Sequence, residues 1–123
     1  MLDGGWVSGS AVIWRRDEDP EKRVRFPVPA FLIETDSERI LVDTGLHPGA
    51  CADAPAFYDG AAVTSLFSLE IDRPVHEQVD PTTITKIVLT HLHYDHAGGL
   101  SLLPAKISTV KSAEKVALVG KPQ

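Results

Sequence analysis

Three short apolar runs limit how this chain can fold. They occupy residues 29–33, 40–42 and 87–89. A polar, turn-forming segment at residues 34–39 separates the first two runs, and this is the pattern of a β-hairpin. Because the runs are almost continuously apolar, we predict strands of a sheet that is covered on both faces, as in α/β proteins.

The amino-terminal segments predict little regular structure before the first apolar run. Residues 3–10 are rich in Gly and Ser and predict a loop that leads into a short strand at residues 11–14. Mixed charge over residues 15–25 predicts an exposed loop. Pro27 and Pro29 carry no amide hydrogen, so we expect them at the entrance of an edge strand.

The later part of the chain predicts short strands that alternate with short helices. The expected elements are a helix at 74–79, a strand at 84–90, a helical turn at 100–103, a strand at 106–110, and a helix at 113–119 capped by Ser112. The pattern of apolar residues over 49–70 favours neither helix nor strand. The alternation favours an α/β fold.

Composition narrows the class of protein. The chain has 123 residues, 43% of them hydrophobic, and a formal net charge of −5. This balance argues against a general electrostatic attraction to nucleic acid. No apolar stretch is long enough to cross a bilayer and no secretory signal is evident, so we expect a cytoplasmic protein without a membrane partner. Cys51 is the sole cysteine, which excludes an intrachain disulfide.

A cluster of metal-binding side chains follows the third apolar run. It consists of His91, His93, Asp95 and His96, and it contains three of the five histidines of the chain. In extended backbone, alternate side chains share a face, so His91 and His93 can point at one ion. Asp95 and His96 are adjacent and need a turn. This spacing makes two metal ions, a few ångströms apart, more natural than one.

The chemistry of the cluster indicates the metal and the reaction. Imidazole and carboxylate ligands without thiolate suit Zn²⁺, and Mn²⁺ or Fe²⁺ are possible. We expect Gly98 and Gly99 to leave the chain free to turn after the cluster. Such ions activate water for hydrolysis. The isolated residues His47 and His76 are interpreted as ordinary histidines, either in a polar, solvated loop or satisfied by hydrogen bonds.

The chain resembles the metallo-β-lactamase-fold hydrolases in two segments, Leu-Val-Asp-Thr-Gly at residues 41–45 and Thr-His-Leu-His-Tyr-Asp-His-Ala-Gly-Gly at residues 90–99. The resemblance implies an αβ/βα sandwich with a two-metal site. It implies that His91 and His93 bind the first metal, and that Asp95 and His96 bind the second. It also implies that Asp43 braces a ligand imidazole by a hydrogen bond.

Within this family, the stretch at residues 26–35 and the His cluster look most like the N-acyl homoserine lactonases. The resemblance implies that a metal-bound hydroxide opens a lactone ring, with Asp95 as a catalytic residue that passes a proton to the leaving oxygen. Two alternatives stay open. One is another hydrolase of the same fold, such as a thioesterase of the glyoxalase II type or a phosphodiesterase. The other is an inactive fragment that serves as an interaction module.

The sequence also departs from the family pattern. The family completes its site with two further histidines and a bridging carboxylate, but after His96 this chain contains no His, no Asp and only one Glu, Glu114. We therefore expect residues 1–123 to be a single truncated domain, mainly the amino-terminal half of the sandwich. Half a sandwich leaves an apolar sheet face uncovered. A second copy of the chain, as a homodimer, or the missing half would cover it.

Overall fold

A mixed sheet forms the centre of the molecule. The computed structural model describes residues 1–58, 66–104 and 106–111. Within these ranges the strands are β1 (Leu2–Ser10), β2 (Arg23–Glu34), β3 (Arg39–Val42), β4 (Phe67–Glu70), β5 (Lys86–Leu89) and β6 (Ser108–Lys111). Their order across the sheet is β4-β1-β2-β3-β5-β6. The pairs β1–β2, β1–β4 and β2–β3 are antiparallel, whereas β3, β5 and β6 run parallel.

Short helices connect the strands. The α-helices are α1 (Pro48–Ala52), α2 (Ala54–Tyr58), α3 (Val75–Gln78) and α4 (Tyr94–Ala97), and the 3₁₀ turns are Ala11–Ile13, Pro81–Thr83 and Gly98–Leu102. Proline at the start of α1 suits its first turn, where an amide hydrogen has no helical partner. Among the helices in the described ranges, none combines the length and apolar character that a membrane crossing requires.

The predicted hairpin is confirmed. Strands β2 and β3 pair in antiparallel register from Phe31 with Val42 to Glu34 with Arg39. The predicted helix at 74–79 and strand at 84–90 correspond to α3 and β5. The helical turn at 100–103 and the strand at 106–110 are also found, each displaced by one or two residues. The predicted helix at 113–119 lies outside the described residues.

The predictions for the amino-terminal segments are wrong. The Gly-rich segment expected to be a loop is β1, and the strand expected at residues 11–14 is a 3₁₀ turn. The loop expected to reach residue 25 ends earlier, because β2 begins at Arg23. Glycine is required in β1 by close approach of the chain, since a Cβ on Gly4 would lie 2.5 Å from the carbonyl oxygen of Val28. Two neighbouring strands, β2 and β4, stabilise β1 despite its composition.

The expectation that Pro27 and Pro29 mark an edge strand is also wrong. Their strand, β2, lies between β1 and β3. Pro27 pairs with Trp6 and Pro29 with Asp3, and the register between these two pairs is irregular. The ladder with β3 begins only at Phe31. Both prolines therefore lie where the missing amide hydrogens interrupt no regular ladder.

The main hydrophobic core lies on one face of the sheet. It consists of Ala30, Leu41, Val75, Ile84, Ile87, Leu89, Leu103 and Ile107. Phe31 and Ile33 alternate with the inward residues of β2 and lie on the opposite face, where they are 43% and 47% exposed. The described residues thus cover one face of β2, and the prediction that both faces are covered is wrong for this part of the chain.

Candidate metal centre

Two neighbouring parallel strands end at the site. Because β3 and β5 run parallel, the residues that follow them meet at the same edge of the sheet. Asp43 follows β3 and Thr90 follows β5. The backbone amide of Asp43 donates to the carbonyl oxygen of Val88 at 2.9 Å. This hydrogen bond holds the end of β3 against β5.

Three side chains form a compact group of metal ligands. His91, Asp95 and His96 each offer one ligand atom, and these atoms lie within 4.8 Å of one another. Asp95 and His96 are on α4, and the ring centroids of His91 and His96 are 4.1 Å apart. Asp95 and His96 are adjacent in sequence and were expected to need a turn. That turn is α4, which brings both side chains close to His91.

His93 lies beside this group but outside it. Its ring centroid is 4.6 Å from that of His91, and its side chain lines a neighbouring cavity. His93 is the extended residue immediately before α4, so its side chain leaves the backbone in a different direction from those on the helix. The grouping found here differs from the expected pairing of His91 with His93, and the metal-binding role of all four residues stays a prediction.

A hydrogen-bond network surrounds the carboxylate of Asp43, which is buried. One carboxylate oxygen, Oδ1, accepts from the backbone amide of Thr90 at 2.8 Å. The other, Oδ2, lies 2.8 Å from Nδ1 of His96 and 2.8 Å from the Thr90 hydroxyl. Asp43 has a left-handed φ of 61°, which is uncommon outside glycine but accessible to aspartate. The network therefore holds the residue in an unusual backbone conformation.

The same network fixes which nitrogen of each imidazole carries a proton. An ionised carboxylate only accepts hydrogen bonds, so Nδ1 of His96 and the hydroxyl of Thr90 both donate to Asp43. The hydroxyl has only one proton, which it donates to Asp43. Its oxygen therefore accepts a hydrogen bond from Nδ1 of His91, which lies 3.0 Å away. In their neutral forms, both imidazoles then carry their proton on Nδ1. Nε2 of each ring is left with a lone pair that can bind a metal ion.

The pKa values of these groups follow from burial and hydrogen bonding. Burial alone would raise the pKa of Asp43, but hydrogen bonds from His96 and Thr90 outweigh it and lower the pKa. The hydrogen bond to Asp43 raises the pKa of His96. Burial, together with repulsion from neighbouring histidines, lowers the pKa of His91. At neutral pH, Asp43 is therefore ionised and His91 is neutral, which is the form that binds metals.

Close backbone packing fixes the position of α4. The amide and hydroxyl of Thr44 donate to the carbonyl oxygen of His96 at 2.7 and 2.9 Å. A Cβ on Gly99 would lie 2.3 Å from the carbonyl oxygen of Thr44. Gly98 has an ordinary helical φ of −61°. Glycine at these two positions therefore serves close packing against the loop after β3, and the expectation that they give the chain freedom to turn is wrong.

A cavity of about 590 Å³ opens beside the ligand group. Its apolar walls come from β1, β2 and β4 and from the 3₁₀ turn after β1, with the side chains of Val7, Trp14, Phe26, Val28 and Phe67. Its polar part is formed by His93, Tyr94, Asp95 and Tyr58. Asp95 thus belongs both to the ligand group and to the cavity wall. The site can hold an apolar group next to a metal ion.

The remaining histidines lie outside the ligand group, as expected. Nδ1 of His47 accepts a hydrogen bond from the amide of Gly49 at 2.9 Å and caps α1. His76 lies on α3. Sequence reasoning missed the contributions of Thr44 and Thr90. The available sequence signal was Thr90, which directly precedes the first histidine of the cluster. Its role was not evident because its partner, Asp43, is 47 residues away in sequence.

A protein-family model described as the metallo-beta-lactamase superfamily matches residues 23–119, which is most of the chain. The chain belongs to the metallo-beta-lactamase superfamily. The resemblance stated from the two sequence segments is therefore confirmed.

Relatives of this superfamily member include bacterial lactonases. An N-acyl homoserine lactonase from Bacillus thuringiensis is 36% identical over 87 residues, which are 65% of this chain and 34% of the relative. The N-acyl homoserine lactonase AiiB from Rhizobium rhizogenes is 36% identical over 84 residues, which are 61% of this chain and 29% of the relative. The chain spans about a third of the length of the curated relatives that it matches.

Solved structures of N-acyl homoserine lactone hydrolases and lactonases show a similar fold. An N-acyl homoserine lactone hydrolase, with the product N-hexanoyl-L-homoserine at its catalytic metal center, matches with a TM-score of 0.79 and 22% identity. This match covers 99% of the present chain and 51% of that chain. AidC, a dizinc quorum-quenching lactonase, matches with a TM-score of 0.57 and 15% identity, covering 99% and 44%. The predicted metallo-β-lactamase fold is confirmed.

Proposed function

We propose that this chain forms part of a metal-dependent hydrolase that opens the lactone ring of N-acyl homoserine lactones. The observation that carries the proposal is the ligand group of His91, Asp95 and His96 at the wall of an apolar cavity. Relatives at 36% identity are lactonases of this substrate class. Because the chain spans a third of their length, the proposal concerns the complete site to which these residues belong.

The residues present fit a bound metal, and we propose Zn²⁺. The ligand group combines two imidazoles with a carboxylate and contains no thiolate, a set that suits zinc. Asp43 and Thr90 hold the protons of both imidazoles on Nδ1, so Nε2 of His91 and of His96 can bind the ion. His93 lies close enough to join a second position. When bound, such ions polarise the carbonyl oxygen of an ester and lower the pKa of water.

The cavity accounts for the rest of the substrate. An N-acyl homoserine lactone has a polar ring and an apolar acyl chain, and the cavity is lined by the carboxylate of Asp95 and by the apolar side chains of Trp14 and Phe26. Burial of the acyl chain against these apolar side chains would hold the lactone ring near the ligand group. The carboxylate of Asp95 would accept a proton from the attacking water and return it to the ring oxygen as the ester bond breaks.

A substrate panel tests the proposal. A complete form of the enzyme, loaded with zinc, is incubated with N-hexanoyl homoserine lactone, with a glutathione thioester and with a phosphodiester, and acid release is followed by titration. We expect ring opening of the lactone, loss of this activity after chelation of the metal, and its return when zinc is added. Cleavage of the thioester or the phosphodiester in preference to the lactone would overturn the assigned substrate. Lactone hydrolysis that survives chelation would overturn the assigned metal site.

A further inference from the structure

The loop after β3, residues 43–46, connects the ligand group to strand β1. Its first two residues bind the ring and the carbonyl oxygen of His96. Its last residue, Leu46, donates its backbone amide to the carbonyl oxygen of Gly4 in β1 at 2.8 Å. All four residues of the loop are buried. Because a close-packed interior is nearly incompressible, a displacement at one end of this loop is transmitted to the other end.

The contact between this loop and β1 is made by backbone atoms of two glycines. A Cβ on Gly45 would lie 2.6 Å from the Cα of Gly4, and a Cβ on Gly4 would lie 3.0 Å from the Cα of Gly45 and 2.5 Å from the carbonyl oxygen of Val28. The carbonyl oxygen of Gly45 also accepts a hydrogen bond from the amide of Gly99, just after α4, at 3.1 Å. No flexible side chain lies between the two glycines that could adjust to a change in either.

We propose that Gly4 is a positioning residue for the ligand group, and that it acts on His96 through the loop after β3. Movement of Val28 could not make room for a Cβ at position 4, because the strand of Val28, β2, lies between β1 and β3 in the sheet. The loop would be displaced instead, and with it the hydrogen bond that orients the ring of His96. The inference rests on the proposed function, since it assumes that His96 binds a metal ion.

Zinc affinity, measured beside stability, separates positioning from packing. Gly9→Ala is the matched control for Gly4→Ala, because a Cβ on Gly9 is also crowded, at 2.9 Å from the carbonyl oxygen of Leu66, but its nearest neighbours lie outside the loop after β3. Both variants should lose stability in urea unfolding. In titration with zinc against a chromophoric competitor, Gly4→Ala alone should lose about 10-fold in affinity. Equal zinc affinities for the two folded variants would overturn the positioning role.

Hydrogen exchange on the unaltered protein decides the question if Gly4→Ala does not fold. Because coupling between two sites is reciprocal, zinc should slow exchange of the Leu46 amide, which donates to Gly4, by about 10-fold. The amide of Ala11, which donates to the carbonyl oxygen of Lys22 just beyond the other end of β1, is the reference and should not change. An unchanged rate at Leu46, or an equal change at both amides, would disprove the positioning role.

The outcomes also separate this inference from the proposed function. If the unaltered protein binds zinc but the effects on Gly4→Ala and on the Leu46 amide are absent, the positioning role is wrong and the proposed function stands. If the unaltered protein binds no zinc, the ligand group does not hold a metal ion. Both proposals then fail.

Discussion

Nδ1 of His96 donates a hydrogen bond of 2.8 Å to the carboxylate of Asp43. This contact joins the residue that ends one parallel strand to a ligand candidate on the short helix that follows the next strand. Because the same carboxylate also receives the hydroxyl of Thr90, one buried anion orients both imidazoles of the ligand group.

Asp43→Asn should weaken metal binding. Asparagine tolerates the left-handed backbone of this position, so the variant removes the charge and keeps the fold. Loss of an oriented partner for a ligand imidazole typically costs about 10-fold to 100-fold in metal affinity. Zinc titration against a chromophoric competitor measures the effect. Unchanged affinity in a folded variant would show that Asp43 does not orient His96.

Thr90→Val should also weaken metal binding, by about 10-fold, because it removes the hydroxyl that links Asp43 to His91 and keeps the branched shape. Thr90→Ser retains the hydroxyl and is the matched control. The same competitor titration applies. Equal affinities for the Val and Ser variants would contradict the assigned tautomer of His91.

The stability of the metal-free protein should depend on pH through the Asp43 and His96 pair. The pKa of Asp43 is lowered from 3.8, so its contribution is present above that pH and is lost as the pH falls through the folded value. The pKa of His96 is raised from 6.5, so its contribution is complete below that pH and is lost as the pH rises through the folded value.

The pair should therefore stabilise the metal-free protein most between about pH 4 and pH 6.5. Urea unfolding at a series of pH values, on the protein and on Asp43→Asn, measures this contribution as a difference. A difference that does not decrease above pH 6.5 would disprove the assignment.

Asp95→Asn should abolish turnover in any complete form of the enzyme, because it removes the carboxylate from both the ligand group and the cavity wall. Zinc affinity should fall in parallel. His76→Ala is the matched control, since His76 lies on α3 and outside the ligand group, and its activity should be close to that of the unaltered protein. Near-normal turnover in Asp95→Asn would remove the role assigned to Asp95.

Gly99→Ala should destabilise the fold, because the added Cβ would lie 2.3 Å from the carbonyl oxygen of Thr44. Overpacking of this kind costs about 1–3 kcal/mol in the free energy of unfolding. Urea unfolding measures it. Ser101→Ala, at an exposed position in the same 3₁₀ turn, should stay within about 0.5 kcal/mol of the unaltered protein. Equal stabilities of the two variants would contradict the close packing.

Sequence predicted the elements whose signals are local. The hairpin of β2 and β3 and the strand β5 were found because apolar runs and a polar turn directly indicate them. The Gly-rich strand β1 was missed because its own residues favour a loop. Pairing with β2 and β4 stabilises it, and those partners are distant in sequence.

The site shows the same division. The metal-binding residues after β5 form one continuous stretch of sequence. Which of them come together in the ligand group is not evident from that stretch alone. His93 precedes the helix and lines the cavity, whereas Asp95 and His96 are on the helix and join His91, and Asp95 also lines the cavity. The boundaries of short helices are poorly defined by sequence pattern.

The loop after β3 holds His96 at both ends, since Asp43 binds its ring and Thr44 binds its carbonyl oxygen. Residues 43–45 and 90–99 therefore behave as one interlocking module. Transfer of the histidine segment to another protein scaffold would therefore require that residues 43–45 and 90–99 be transferred together. The histidine segment alone would lack the contacts that orient the imidazole of His96.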